Sequence, residues 1–247
     1  MSPPLARANP FAVDAWFDCS CTLVYALPLS DIAQRVPAPL QVDDWQGRWG
    51  FLAVALVQTR KLRPAGLPAW MGSDFILAGY RYFVRCPQAD GRRLRGLYII
   101  RSQTDSRRMC VLGNLLTRYH YQHRPLRLRR SEQQLSLDDG RGGLRIRVDL
   151  RQGAESEVPL PKDSPFANWV EARRFCGPMP YTFSVDAESS RVVLVEGQRS
   201  NWRPRAVAVL EHRVPLLAQL GLGHARLANA FVVESVPYHW HRGRVLK

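Results

Sequence analysis

The longest uninterrupted apolar run of the chain, FLAVALV, covers residues 51–57. Seven residues are far too few to cross a bilayer as a helix, which takes about 20. An apolar run of this length is typical of a buried strand. Two later segments, FILAGYRYFVR (residues 75–85) and LRGLYIIRSQ (residues 94–103), alternate and carry many aromatic and branched side chains, as strands do. The turn-like QADGRR between them predicts a hairpin.

Arginine alternates with leucine and isoleucine in the segment PLRLRRSEQQLSLDDGRGGLRIRVDL, residues 125–150. Successive side chains of a strand point to opposite faces, so this pattern puts the aliphatic groups on a core and the guanidinium groups in water. The pattern explains much of the net charge of +14, which comes from 35 basic and 21 acidic residues.

Four short helices are predicted between the strands. Ser30 is the expected N-cap of the first helix, and Asp105 or Ser106 that of the second, which should run into the sequence RYHYQH. Ser164, followed by proline, is the expected N-cap of the third helix. The fourth, within VPLLAQLG, should end near Gly221.

No linker, internal repeat or low-complexity tract divides the sequence. Many strands with a few helices between them predict a single α+β domain over residues 1–247, with a mostly antiparallel sheet. The first residues, MSPPLARANPFAVDAW, lack the apolar stretch of a signal peptide. We therefore expect a cytoplasmic protein with no membrane contact, and its five cysteines are expected to be reduced, buried thiols.

An excess of positive charge can attract nucleic acid, anionic lipid or acidic metabolites. The basic residues are interspersed with strand-like apolar positions, and no helix-turn-helix, RNA-binding or zinc-finger signature accompanies them. A role in nucleic-acid binding therefore has only the net charge in its favour, and we treat it as an alternative.

Dedicated catalytic motifs are absent from the sequence. It has no GxSxG elbow, and DGRGG is expected to form a turn because no helix with Lys-Ser/Thr follows it. His120 and His123, joined by His239 or His241, could make a three-histidine zinc site, but without a dedicated ligand spacing. We therefore expect neither a metal nor a cofactor.

The order of several short motifs resembles that of a known superfamily. TLVYALPLSDIAQRVPAPLQVDD, residues 22–44, is similar to the opening of the acetoacetate decarboxylase-like superfamily. The remainder is most similar to its YqjF-like family of uncharacterised bacterial proteins. This second resemblance rests on WQGR at 45–48, RYFV at 81–84, DSR at 105–107 and RGR at 242–244.

The resemblance covers almost the whole chain and implies a large twisted, barrel-like, mostly antiparallel sheet with a few peripheral helices. It also implies an internal pocket for a small molecule, and homo-oligomers are common in the superfamily. The decarboxylases use a lysine Schiff base, made nucleophilic by a second lysine. The place of this pair falls near Tyr121 and Gln122 here, while the three lysines of this chain, Lys61, Lys162 and Lys247, lie in other segments.

Four residues are the candidate ligand-binding set: Arg81, Arg101, Asp105 and Tyr121. A small organic anion is the expected ligand, held by Arg81 and Arg101. Asp105 could instead form a structural ion pair with Arg81. Tyr121 could supply a hydroxyl, as a hydrogen-bond donor or a weak general acid.

Two departures from the resembled family concern the same strand. YqjF-like chains often carry an acidic residue and an asparagine just before the motif at 81–84, and these places correspond to Leu77 and Gly79 here. The predicted pocket is thus less polar. An enzyme without a Schiff base, acting on a small organic acid as a lyase or a hydrolase, and a pure binding protein both fit these residues. A nucleic-acid-binding or protein-interaction module is a further alternative.

The first prediction concerns the Schiff base. Incubation with acetoacetate and sodium borohydride should leave the mass of the protein unchanged, because neither Tyr121 nor Gln122 can form an imine. Intact-protein mass spectrometry measures this, and a stable adduct mapped to any of the three lysines would contradict it.

Overall fold

The strands dominate the fold, as the alternation predicts. The computed structural model describes residues 7–151, 158–177 and 179–246. Within them the strands are β1 Val13–Pro28, β2 Gln41–Val42, β3 Trp49–Pro64, β4 Ser73–Pro87, β5 Arg93–Thr104, β6 Tyr121–His123, β7 Arg127–Arg130, β8 Gln134–Asp138, β9 Arg145–Asp149, β10 Tyr181–Val185, β11 Val192–Arg199, β12 Arg205–Ala206, β13 Ala208–Arg213, β14 Arg226–Trp240 and β15 Arg244–Val245.

The large sheet returns on itself in a ring-like closure. Its hydrogen-bonded order runs β14-β1-β3-β4-β5-β10-β11, and β11 pairs again with β14. All of these pairings are antiparallel except β5 with β10, and β6 adds to β5 as a second parallel neighbour. The predicted α+β class, with a large, mostly antiparallel sheet, is confirmed.

Both faces of the long strands are buried. The outer face packs against a second sheet, ordered β13-β9-β8-β7, through residues such as Tyr80 on one side and Leu137 on the other. Leucine, isoleucine and valine of β8 and β9 lie in this core, while Arg145 and Arg147 lie on the solvent face and pair with Glu211. The prediction that alternation places these arginines in water is confirmed.

The inner face of the ring is covered differently along its length. One end is closed by α3 and an aromatic cluster that includes Phe51, Phe83 and Phe175. The buried carboxylate of Asp43 fixes this end, because it pairs with Arg85 and, at 2.7 Å, with Nε of Arg95. Arg95 in turn donates to the Phe175 carbonyl at 3.0 Å, which anchors the end of α3.

The helices begin at different residues from some of those predicted. Their bounds are α1 Leu29–Ala33, α2 Arg107–Leu116, α3 Trp169–Cys176 and α4 Pro215–Gln219, with one 3-10 turn at Ala69–Met71.

Of the predicted N-caps, Ser106 is confirmed and Ser30 and Ser164 are wrong. Ser106 accepts from the Met109 amide. Helix α1 begins at Leu29, so Ser30 lies inside it. Helix α3 is capped by Asn168, because the Ser164 hydroxyl instead closes a local turn by accepting from the Phe166 amide.

The fourth helix ends as predicted, before a left-handed Gly221 with φ of 70°. Helix α2 stops at Leu116, so the segment predicted as its extension leaves the helix and enters β6. None of the helices in the described ranges is both long and apolar enough to span a membrane. All five cysteines are free thiols; four are buried, and Cys110 is half-buried.

Candidate functional site

A cavity of about 190 Å³ lies against the inner face of the ring, between the α3 end and the segment that follows α2. Apolar groups form most of its wall, including Phe17, Val57 and Leu77. Three tyrosines, Tyr119, Tyr121 and Tyr238, reach it from other elements. The wall is therefore mainly apolar, with polar groups at a few positions.

Arg81 projects into this cavity from β4. Its guanidinium group lies over Gly79, where a Cβ atom would come within 3.0 Å of one terminal nitrogen. The Nε atom is fully enclosed and has no hydrogen-bond partner, and the side chain makes no ion pair with any described residue. Because an arginine stays protonated in proteins, Arg81 presents an uncompensated charge to the cavity.

Burial lowers the pKa of Arg81, and the neighbouring charge of Arg199 acts in the same direction. None of the side chains described along the cavity wall is a carboxylate. The described residues of the wall therefore offer Arg81 no counter-charge, which leaves room for an anion as its partner.

Arg101 does not reach this cavity. On β5, Ile99 pairs with Arg81 but Arg101 pairs with Tyr80, because Ile100 forms a one-residue bulge between them. A bulge of this kind moves the following side chain to the opposite face of the sheet. Arg101 thus shares the outer face with Tyr80, and the expectation that it joins Arg81 around one ligand is not met by this geometry.

Asp105 is not the partner of Arg81 either. Its carboxylate accepts from the Ile76 amide at 2.8 Å, and its carbonyl oxygen lies 3.2 Å from Nε2 of His123. Asp105 therefore ties the edge of β4 to the start of α2, outside the cavity wall.

Tyr121 lines the same cavity as Arg81, and it does so from a strand rather than a helix. Asn114 of α2 holds its backbone on both sides, donating to the Tyr121 carbonyl at 2.9 Å and accepting from its amide at 2.8 Å. The ring packs on Gly113, where a Cβ would lie 2.4 Å from a ring carbon. Burial raises the pKa of Tyr121 to about 12, so its hydroxyl remains a donor at neutral pH.

Sequence reasoning missed Asn9, which also lines the cavity. Its amide nitrogen lies 3.3 Å from the Tyr119 hydroxyl, and its Oδ1 is buried without a partner. Its backbone bridges the Leu116 carbonyl and the Gly243 amide, so it is fixed between the end of α2 and the last residues of the chain. No local pattern marks it, because all of its partners are more than 100 residues away.

An outer cleft adjoins the cavity. Arg199, Trp202 and Tyr238 line both spaces and therefore form the wall between them. Arg199 donates to the Met179 carbonyl at 2.5 Å, and its guanidinium carbon lies 4.6 Å from the Trp202 ring centre. Arg199 therefore already has a hydrogen-bond acceptor and an aromatic partner within the protein.

None of the described lysines and histidines lines the cavity wall. Lys61 borders the outer cleft, Lys162 is exposed, and Lys247 is outside the described residues. His239 is engaged with Asp14 at 2.6 Å. Across the described ranges, no three histidine, cysteine or acidic side chains come close enough to hold a metal ion, so the three-histidine zinc site is not formed.

The DUF2071 family, described as an uncharacterized conserved protein, matches residues 16–239 of the chain. A comparison with curated proteins finds no significant match.

Solved structures of similar fold come from the superfamily that the motifs resemble. Acetoacetate decarboxylase from Legionella pneumophila matches with a TM-score of 0.60 at 11% identity, covering 100% of this chain and 92% of its own. An acetoacetate decarboxylase-like enzyme from Sphingomonas wittichii matches with a TM-score of 0.60 at 14% identity, covering 95% and 92%. The enduracididine biosynthesis enzyme MppR, complexed with pyruvate, matches with a TM-score of 0.58 at 14% identity, covering 100% and 93%. The resemblance stated from the motifs is confirmed for the fold.

The second prediction concerns the unpaired charge. Arg81→Met should raise the free energy of unfolding of the ligand-free protein by about 1–3 kcal/mol, because it removes a half-buried cation whose enclosed Nε has no hydrogen-bond partner. Urea denaturation in a buffer free of carboxylates and phosphate measures the change.

Arg85→Met on the same strand is the matched control and should have the opposite sign. Arg85 pairs with the buried Asp43, so its loss leaves that carboxylate with Arg95 alone. Equal destabilisation by both substitutions would mean that Arg81 has a protein partner.

Proposed function

We propose that this chain, which belongs to the DUF2071 family of uncharacterized conserved proteins, binds a small organic acid in its inner cavity. The observation that carries the proposal is the guanidinium group of Arg81, which lies in an apolar cavity without a counter-charge among the described residues.

A carboxylate is the natural partner of such a group. The planar fork of a guanidinium matches the two oxygens of a carboxylate, and the pair is strong when shielded from water. Tyr121 adds a hydroxyl donor to the same wall. A protein of similar fold, MppR, is complexed with pyruvate, so binding of a small acid has a precedent in this architecture.

The binding we propose involves no imine. Of the three lysines, Lys61 and Lys162 lie off the cavity wall, and the position that corresponds to the catalytic pair of the resembled decarboxylases carries Tyr121 and Gln122. The acid is therefore held by charge and hydrogen bonds rather than through a covalent bond to lysine.

The third prediction is a ligand-dependent rise in melting temperature. A panel of keto, hydroxy and aromatic acids, with inorganic phosphate and a short DNA duplex, is measured at two salt concentrations. An acid present at 100 times its dissociation constant stabilises the folded state by about 2.7 kcal/mol. For a chain of this length that corresponds to a rise of roughly 5–10 °C.

Two variants test where the acid binds. Arg81→Met should abolish the rise, whereas Arg101→Met, which removes the same charge from the opposite face of the sheet, should leave it intact. Loss of the rise in both variants would point to general electrostatic attraction. A rise produced by DNA alone, and lost at high salt, would favour the nucleic-acid alternative.

A second candidate is an enzyme that uses Tyr121 without a Schiff base. The observation in its favour is that the Tyr121 hydroxyl faces the cavity, has no hydrogen-bond partner among the described residues and remains protonated at neutral pH. Such a hydroxyl can donate a proton to a developing anion, as a general acid does.

The fourth prediction separates binding from chemistry. Tyr121→Phe should change the affinity for a bound acid by no more than about fivefold, since one neutral hydrogen bond contributes about 1 kcal/mol. If the chain is an enzyme, the same variant should lose at least tenfold in turnover, followed by proton NMR of the acid. Unchanged turnover would exclude Tyr121 as the acid, and Tyr119→Phe serves as the control.

A further inference from the structure

We infer that the acid taken up by this cavity is a carboxylate carrying one aromatic ring and no ammonium group, of the size of benzoate or phenylacetate. The inference rests on the proposed function, because it assumes that Arg81 holds a carboxylate. It adds the shape of the ligand and excludes a cationic group, which follow from the volume, the wall and the charged side chains of the cavity.

The volume matches one ring. An apolar protein cavity of about 150 Å³ accepts benzene. The present cavity, at about 190 Å³, therefore accommodates a benzene ring with a carboxylate beside it. A three-carbon acid would leave much of this space empty, and the atoms of the wall would lose their contacts there.

The wall is suited to a ring. Phe17, Phe75 and Trp240 line the cavity together with the three tyrosines described above. Phe17, Tyr238 and Trp240 already pack on one another, with the centres of Tyr238 and Trp240 only 4.1 Å apart. A bound ring can join such a cluster edge-to-face or in offset stacking, which adds to the effect of burial.

The charges of the wall favour an acid without a cationic group. The wall carries two charged side chains among its described residues, Arg81 and Arg199, and both are cations. Arg199 donates to the Met179 carbonyl and lies against the rings of Trp202 and Tyr238, which are neutral partners. The ammonium group of an amino acid would therefore be buried without a partner, because no acidic side chain is described on the wall.

The fifth prediction compares matched acids by isothermal titration calorimetry at neutral pH. Phenylacetate should bind at least tenfold more tightly than phenylglycine, which adds an ammonium group. Benzoate and phenylacetate should both bind at least tenfold more tightly than pyruvate, and 2-naphthoate should bind at least tenfold more weakly than benzoate.

Two variants connect these affinities to the cavity. Arg81→Met should lower the affinity for benzoate at least tenfold. Leu77→Phe, which fills part of the wall beside Arg81 while keeping the charge, should also lower it at least tenfold, with the fold checked by circular dichroism. Unchanged benzoate affinity in Leu77→Phe would place the ring elsewhere and overturn the inference.

The outcomes separate this inference from the proposed function. If pyruvate binds at least as tightly as benzoate, and Arg81→Met abolishes its binding, the aromatic preference is wrong and the proposed function stands. If phenylglycine binds as well as phenylacetate, the exclusion of an ammonium group is wrong. If none of these acids binds at millimolar concentration, both proposals are wrong.

Discussion

The two buried faces of each long strand are the constraint on which the rest of the structure depends. The outer face must match the small sheet, and the inner face must match α3 at one end and the cavity beyond it. A polar side chain on the inner face is surrounded by the elements that cover it. It finds a partner there, as the half-buried Arg95 does at Asp43, or keeps an unsatisfied nitrogen, as Arg81 does.

The strands and the direction of most of their side chains could be predicted from the sequence, because alternation is a direct consequence of the pleat. The helix starts were predicted less accurately than the strands, because the residue types that cap helices also close turns. Ser164 followed by proline has the pattern of a helix start, yet its hydroxyl closes a turn. The N-cap of the helix is Asn168, four residues later. The sequence around Ser164 and the sequence around Asn168 are equally compatible with a helix start. In the structure the helix starts at the later position, and Phe166 and Phe175 pack against Phe51.

The candidate site was predicted only in part, for reasons that lie in particular residues. Arg81 and Tyr121 both line the cavity. Arg101 was expected beside them because it lies on the neighbouring strand, and a single extra residue at Ile100 placed it on the other face. No residue pattern in the sequence around Ile100 predicts a bulge. Asn9 could not be found either, since its contacts join the two ends of the chain.

Leu77 and Gly79 connect the sequence with the electrostatics of the cavity. Where the resembled family often has an acid and an amide, this chain has an isobutyl group and no side chain at all. The absent Cβ of Gly79 leaves the space in which the guanidinium of Arg81 lies, and Leu77 adds apolar wall where a carboxylate could have compensated the charge. The two differences act in the same direction, because one gives the cation its place and the other leaves it unpaired. In a pocket with an internal carboxylate, a bound acid would meet a guanidinium that is already neutralised. In this pocket the acid itself would be the counter-charge, so the free energy of the ion pair would belong to binding rather than to folding.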